Sequence, residues 1–352
     1  MAAKNEFVVT KDQLNFLTDN GYLILPGVLS SAECDSHCAS LVSSLSALCP
    51  SLKVDTKTGK ILEDSWKPAH LPPSPRSGLF QGLVSTFPSV LELRSHPRVC
   101  DIFRTVYSHL RKKKFGNADF FSSMDGINVR PLMKTYHTEK SKDWAHLDQT
   151  IRDDRERCVQ GQIVLSDTTA CFRASPKSHL VHDDILDACG VAENDKGNWL
   201  KMTDEQVNKA KELVEKAGGE WQVPIRAPRG SVILWFSSLV HSAMTQLQEP
   251  LPKPIKSDES VWRDWRFVVY VCHRPKSEVK NRKLHAKRLK QCLDDCRVTN
   301  HWGEKMFPKK RFREYVEREQ TIAELVEHPE KVRKVVTVPD GLERKMNPLL
   351  RE

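Results

Sequence analysis

The sequence predicts an α+β protein, with a double-stranded β-helix (jelly-roll) core and helices flanking it at both ends. Three observations predict it. Helical patterns with capping residues dominate the first third of the chain. From about Asn128 the pattern changes to short runs rich in β-branched and aromatic residues, with no βαβ alternation, which suits a sandwich or barrel. After His273-Arg274-Pro275 the chain becomes helical and basic. The expected division is one domain over residues 1–275, helical over 1–120 and stranded over about 121–275, with a basic helical extension over 276–352 packed on it.

Thr10 caps a helix over 11–20 that stops at Gly21. Residues 22–25 form a short strand before Pro26-Gly27. Ser30 and Ser31 cap a second helix running towards Leu48, with Leu41, Leu45 and Leu48 on one side. Residues 50–77 are polar and carry Pro68, Pro72, Pro73 and Pro75, the pattern of a long surface loop. Helical patterns return at 87–94 and 97–112, and Lys112-Lys113-Lys114 suits a helix C-terminus. Residues 128–136 alternate as an extended segment, and further strands fall at 159–165, 170–175, 221–225, 231–236 and 266–273. One helix interrupts them, opened by the capping box Thr203-Asp204-Glu205-Gln206 and closed by Gly218-Gly219. Val279, His285, Leu289, Cys292, Leu293 and Cys296 trace one face of a helix from about 277 to 297, and another helix is predicted over 312–327.

With 352 residues, 39% of them hydrophobic and 29% charged, the chain can form a large core and is too apolar for wholesale disorder. Its start lacks an apolar signal core and no run is long enough to span a bilayer. A soluble, cytoplasmic, monomeric protein with no membrane partner is therefore expected. Of the ten cysteines, Cys34/Cys38 and Cys292/Cys296 are four apart, and no Cys-x-x-Cys occurs, so reduced and mostly buried thiols are expected. The net charge of +9 is local: residues 274–352 carry 21 Lys and Arg against 13 Asp and Glu. That excess sits apart from the chemistry-bearing residues below.

Trp144-Ala145-His146-Leu147-Asp148-Gln149-Thr150 holds a histidine and an aspartate one residue apart, a pair able to bind one divalent metal. A second pair, His182-Asp183-Asp184, reads the same way. Position separates them. In a jelly roll the first two ligands come early, with most strands still to follow, as they do after His146 and Asp148. His182 follows Ser175-Pro176-Lys177-Ser178-His179 and heads into a helical segment. The third ligand should follow a late apolar strand, and His241 follows residues 230–236. A hydrogen-bonded core histidine is the plain alternative there. Arg266 opens an apolar strand and shares a face with Val268, Tyr270 and Cys272. A buried guanidinium needs an anion, and a carboxylate fits it bidentately. The alternative is a rim arginine paired with Asp264. Gln162, and Lys134 and Tyr136 on an earlier strand, are candidates to bond the same small acid.

Residues 13–30, His146-Leu147-Asp148, the run from Ala170 to His179, and Gly230 to His241 together resemble the phytanoyl-CoA dioxygenase-like branch of the Fe(II)/2-oxoglutarate oxygenases. The resemblance covers most of residues 10–275. It departs at Lys177, where the family turn has glycine, and in the 25 positions between His241 and Arg266, where residues 246–264 look like an inserted loop or lid. The resemblance implies Fe(II), 2-oxoglutarate and O2 as cofactors, with His146, Asp148 and His241 as catalytic metal ligands and Arg266 as the 2-oxoglutarate anchor. It implies hydrogen abstraction from an unactivated C–H, giving hydroxylation, cyclisation or desaturation, with release of succinate and CO2. Because the carboxylate ligand is present, halogenation is not expected.

Arg130, Arg152, Arg173 and Lys134 near the expected barrel mouth point to a small, carboxylate-bearing substrate, derived from an amino acid or a natural product. Gln149, Thr150, Arg130 and Arg173 are the expected substrate contacts. The alternative is a macromolecular substrate, protein or nucleic acid. It would be recruited by residues 274–313, which carry 14 Lys and Arg against 4 Asp and Glu, with Trp302, Phe307 and Phe312 interleaved. A charged helix face in solvent, with the other face bracing the core, explains that segment equally simply.

Overall fold

The structure is a computed structural model, and it describes residues 7–72, 78–131, 144–243, 260–303 and 305–306. Local chemistry sets the N-terminal elements. α1 (Lys11–Asn20) opens on a reciprocal cap between Thr10 and Gln13. It ends at Gly21, which adopts φ 80. A Cβ at Gly21 would meet His179 Nδ1 at 2.5 Å, so the glycine also permits a close pass against the mid-chain turn. β1 (Tyr22–Leu25) follows, then α2 (Ser31–Leu48), opened by a second reciprocal cap of Ser30 and Glu33. β2 (Leu79–Phe80) precedes α3 (Pro88–Arg94) and α4 (Pro97–Leu110), each with proline at its first position.

The remaining elements are β3 (Phe120–Ser122), β4 (Ile127–Arg130), β5 (His146–Leu147), β6 (Val159–Val164) and β7 (Phe172–Ala174). Then come α5 (His182–Ala188), β8 (Leu200–Lys201), α6 (Asp204–Lys216), β9 (Val223–Ile225) and β10 (Val232–Phe236). β11 (His241–Ala243), β12 (Arg266–Val271), β13 (His273–Pro275) and α7 (Arg282–Asp295) are the last of the helices and strands among the described residues. The pairings are antiparallel. One sheet runs β1-β10-β6-β12-β4-β2, a second β8-β5-β11-β7-β9, and β13 pairs with β3 apart from both.

Period-two alternation sorts the six-stranded sheet. Val159, Ile163, Val232, Leu234, Phe236, Phe267 and Val269 join the main core, which α2, α3 and α4 cover with Leu41, Leu45, Val90, Ile102 and Val106. The opposite face carries Gln160, Gln162, Trp235, Arg266 and Tyr270, which line a cavity shared with the five-stranded sheet. Apolar residues therefore back the sheet, and polar ones are held over the cavity.

One expectation changes, and a second falls largely outside the described residues. Residues 50–77, expected as a surface loop, bury Leu52, Ile61, Trp66 and Leu71. Trp66 meets Trp265 edge-on at 5.4 Å. The polar composition hid these widely spaced anchors. Between His241 and Arg266, residues 260–265 form a packed turn with Trp262 fully buried against Phe267. Residues 244–259 lie outside the described residues, as does the helix expected over 312–327. α7 packs its apolar face, Leu289, Cys292 and Leu293, on Leu91, Phe121 and Met124, with Lys283, Lys287 and Lys290 exposed.

Candidate metal centre

Strand register assembles the site. β5 and β11 pair through His146 opposite His241, so the two imidazoles sit side by side with ring centroids 4.2 Å apart. Asp148 follows β5 immediately, and its backbone amide donates to Ser237 O at 2.9 Å. One ligand atom from each of the three residues lies within 4.8 Å of the other two. All three are buried.

Each imidazole is aimed by its own backbone. His146 Nδ1 lies 3.2 Å from Trp144 O, and His241 Nδ1 lies 2.8 Å from Leu239 O. A carbonyl only accepts, so both Nδ1 atoms carry hydrogen and both Nε2 lone pairs are left for a metal. His241 Nε2 stands 3.2 Å from Asp148 Oδ2, and His146 Nε2 stands 3.8 Å from Asp148 Oδ1. Trp144 stacks on His146 at 4.5 Å and ties its indole N–H to Ala243 O. Burial acts to raise the Asp148 carboxyl, but the imidazoles of His301, His241 and His146 outweigh it and hold the group well below the ordinary carboxylate range. Two imidazoles and one carboxylate on one side are the donor set Fe(II) takes in facial triads.

The competing pair does not form a site. His182 is buried at the start of α5 while Asp184, two residues on, is exposed. His182 is kept neutral, its pKa pulled down to about 4 by burial.

Arg266 is buried rather than at a rim with Asp264. Its guanidinium donates to Ala170 O at 2.7 Å and Asn128 Oδ1 at 3.1 Å, with Gln162 Oε1 at 3.5 Å. These partners are neutral. Arg266, Gln162 and Tyr270 line a cavity of about 440 Å³ that also holds the triad. Lys134 and Tyr136 lie outside the described residues.

The four expected substrate contacts are placed elsewhere. Gln149 donates to Ile151 O and Asp154 O and accepts from Ser237 Oγ, so it braces the metal loop. Thr150 donates to Gly197 O. Arg173 donates to Gln222 O. Arg130 is buried in β4, across from Arg266 in the ladder. None of the four is among the residues lining the cavity. Arg152 is likewise engaged, with Asp187 Oδ1 at 2.7 Å.

Three residues went unread in the sequence. Gln160 donates to Asp148 Oδ2 at 2.9 Å. Its place two positions before Gln162 on one strand was the available signal. His301 Nε2 donates to Asp148 O at 3.1 Å. Asp125, at the turn before β4, lines the same cavity, and burial pushes its carboxyl upward. No local pattern links either residue to a site so distant in sequence.

The family model for phytanoyl-CoA dioxygenase (PhyH) matches residues 17–247. Among solved structures the chain is similar to GlcNAc Inducible Gene 2 from Candida albicans, with 13% identity, 98% of this chain and 81% of that chain covered, and a TM-score of 0.53. It is also similar to SnoK, a non-heme alpha ketoglutarate dependent carbocyclase from nogalamycin biosynthesis (16% identity, 75% and 83% covered, TM-score 0.44). EctD from S. alaskensis with bound Fe gives 12% identity, 79% and 80% covered, and a TM-score of 0.44. No match was found among curated proteins.

Proposed function

Because the chain belongs to the phytanoyl-CoA dioxygenase (PhyH) family, we propose that it is an Fe(II)- and 2-oxoglutarate-dependent oxygenase. On this reading it removes hydrogen from an unactivated C–H of a small molecule, with hydroxylation, cyclisation or desaturation as the outcome. The carrying observation is the triad His146, Asp148 and His241, gathered within 4.8 Å and facing the cavity that also holds Arg266. On the same reading the two sheets are the halves of a jelly roll with the metal between them.

Iron, 2-oxoglutarate and O2 supply the oxidation, with succinate and CO2 released. The chain's own residues do the placing. His146 and His241 offer Nε2, fixed by their Nδ1–H bonds to backbone carbonyls. Asp148 offers its carboxylate, held by Gln160. Arg266 has only neutral partners among the described residues, so a dicarboxylate's far end would meet an uncompensated buried guanidinium. Gln162 and Tyr270 flank it. Asp148 occupies the position a halide would need, so halogenation is not expected.

The expectation of a carboxylate on the substrate rested on Arg130, Arg152 and Arg173, which are placed outside the cavity, and on Lys134, outside the described residues. A small substrate is favoured over a macromolecule because the described part of the basic segment packs on the core, α7 through its apolar face and Trp302 by burial. No helix among the described residues is long and apolar enough to cross a membrane.

Succinate release from 2-oxoglutarate tests the reading. His146→Ala, Asp148→Ala and His241→Ala should abolish it, and Asp184→Ala should leave it unchanged. Turnover surviving in the first three variants would overturn the assignment.

A further inference from the structure

Asp125, Asn300 and Trp199 line the cavity beside His301 and make no contact with the metal ligands among the bonds described above. They come from the turn before β4, the segment after α7 and the segment before β8. The family match ends at residue 247, so Asn300 and His301 lie beyond it.

This wall is built, not loose. His301 ties the C-terminal segment to the metal loop through Asp148 O. Gly303, at φ 68, lets that segment pass over α7; a Cβ there would meet His285 Cε1 at 2.9 Å. Thr299 Oγ1 accepts from the Met124 amide at 2.9 Å, which pins the segment beside Asp125.

Its polar groups are incompletely used. The Asp125 carboxylate accepts from the adjacent Gly126 amide through Oδ1 at 2.7 Å. Buried Arg94 lies behind it but donates to the backbone carbonyls of Asp125 and Ser85, not to the carboxylate. Asn300 is buried, accepts from the Lys305 amide through Oδ1, and leaves Nδ2 without a partner among the described residues. An unused buried donor of this kind is costly unless something fills it.

We infer that Asp125 is the substrate anchor, that the substrate presents a cationic nitrogen to it, and that Asn300 Nδ2 donates to an oxygen on the same molecule. This rests on the oxygenase reading above. With Fe(II) and 2-oxoglutarate in place, their charges cancel against Asp148 and Arg266, while the Asp125 carboxylate, whose buried counter-charge Arg94 donates to backbone carbonyls instead, stays in the cavity wall as an acceptor for a second cation. Trp199, half exposed, lines the same cavity and adds an aromatic ring of the kind that attracts cations. The substrate class is therefore an amine with a nearby hydroxyl, carbonyl or carboxylate oxygen, as in amino acids and amino alcohols.

The test uses the full chain loaded anaerobically with Fe(II) and 2-oxoglutarate, and three probes of one shape: benzylammonium, benzyl alcohol and benzoate. Binding is read by ligand-observed NMR. Benzylammonium should bind wild type at least about tenfold tighter than the other two, the factor one modest ion pair supplies. Asp125→Asn should erase that preference while 2-oxoglutarate affinity stays within about twofold. Equal binding of the three probes to wild type, or no binding of benzylammonium, would overturn the inference. So would a preference that survives in Asp125→Asn. The wild-type comparison stands even if the variant fails to fold. Failure of wild type to take up 2-oxoglutarate would instead count against the oxygenase reading, so the two failures are told apart.

Discussion

At the scale of single residues, the metal centre depends on side chains that never touch a metal. His146 and His241 are oriented by carbonyls two positions back, and Asp148 by Gln160. Groups that orient metal ligands typically contribute 10–100-fold in affinity. Gln160→Leu should therefore weaken Fe(II) binding by about tenfold, measured by anaerobic metal titration, with thermal stability near wild type. Unchanged affinity would show the bond to Asp148 to be incidental. The ligands themselves were legible, because spacing and strand order both point to His146, Asp148 and His241. Their supports were less so. Gln149 adjoins a ligand and so invited a substrate role, yet its amide is taken up by Ile151 O and Asp154 O in its own loop and by Ser237 Oγ after β10. His301 has no sequence signature at all, since it reaches Asp148 across 153 positions.

At the scale of elements, helix caps were the clearest text. The reciprocal caps at Thr10, Ser30 and Thr203 need only two residues three apart. Strands of two residues such as β2, β5 and β8 have no period to detect, and pairing with distant neighbours alone defines them. The turn at Lys177 shows a sequence departure without a structural one. Lys177 adopts φ 66, so it keeps a left-handed turn that glycine would hold without strain. Lys177→Gly should stabilise the fold by about 0.5–1 kcal/mol, seen as a higher urea midpoint. A lower midpoint would mean that the lysine side chain contributes more than its backbone costs.

At the scale of the whole molecule, α2, α3 and α4 cover one face of the six-stranded sheet, α7 packs on α3 and the residues around β3, and the polar sheet face is left to the cavity. Burial also sets how the protein meets acid. His179 and His182 are pushed down to about 4 and His273 to about 3, in each case mainly by burial. Their folded values lie below the unfolded value of about 6.5. As pH falls, the unfolded chain takes up these protons first. The stability they contribute is whole above about pH 6.5 and is lost progressively towards pH 4. Urea midpoints should thus fall between pH 7 and pH 5, and a flat profile would contradict the neutral burial of these rings. The central claim is that one cavity holds iron on His146, Asp148 and His241 and a dicarboxylate on Arg266. Its most direct test is anaerobic calorimetry of 2-oxoglutarate into the Fe(II)-loaded chain, wild type against Arg266→Ala. The account predicts one saturable site in wild type and at least about a hundredfold weaker binding in the variant. Equal affinity in both, or no binding in wild type, would contradict it.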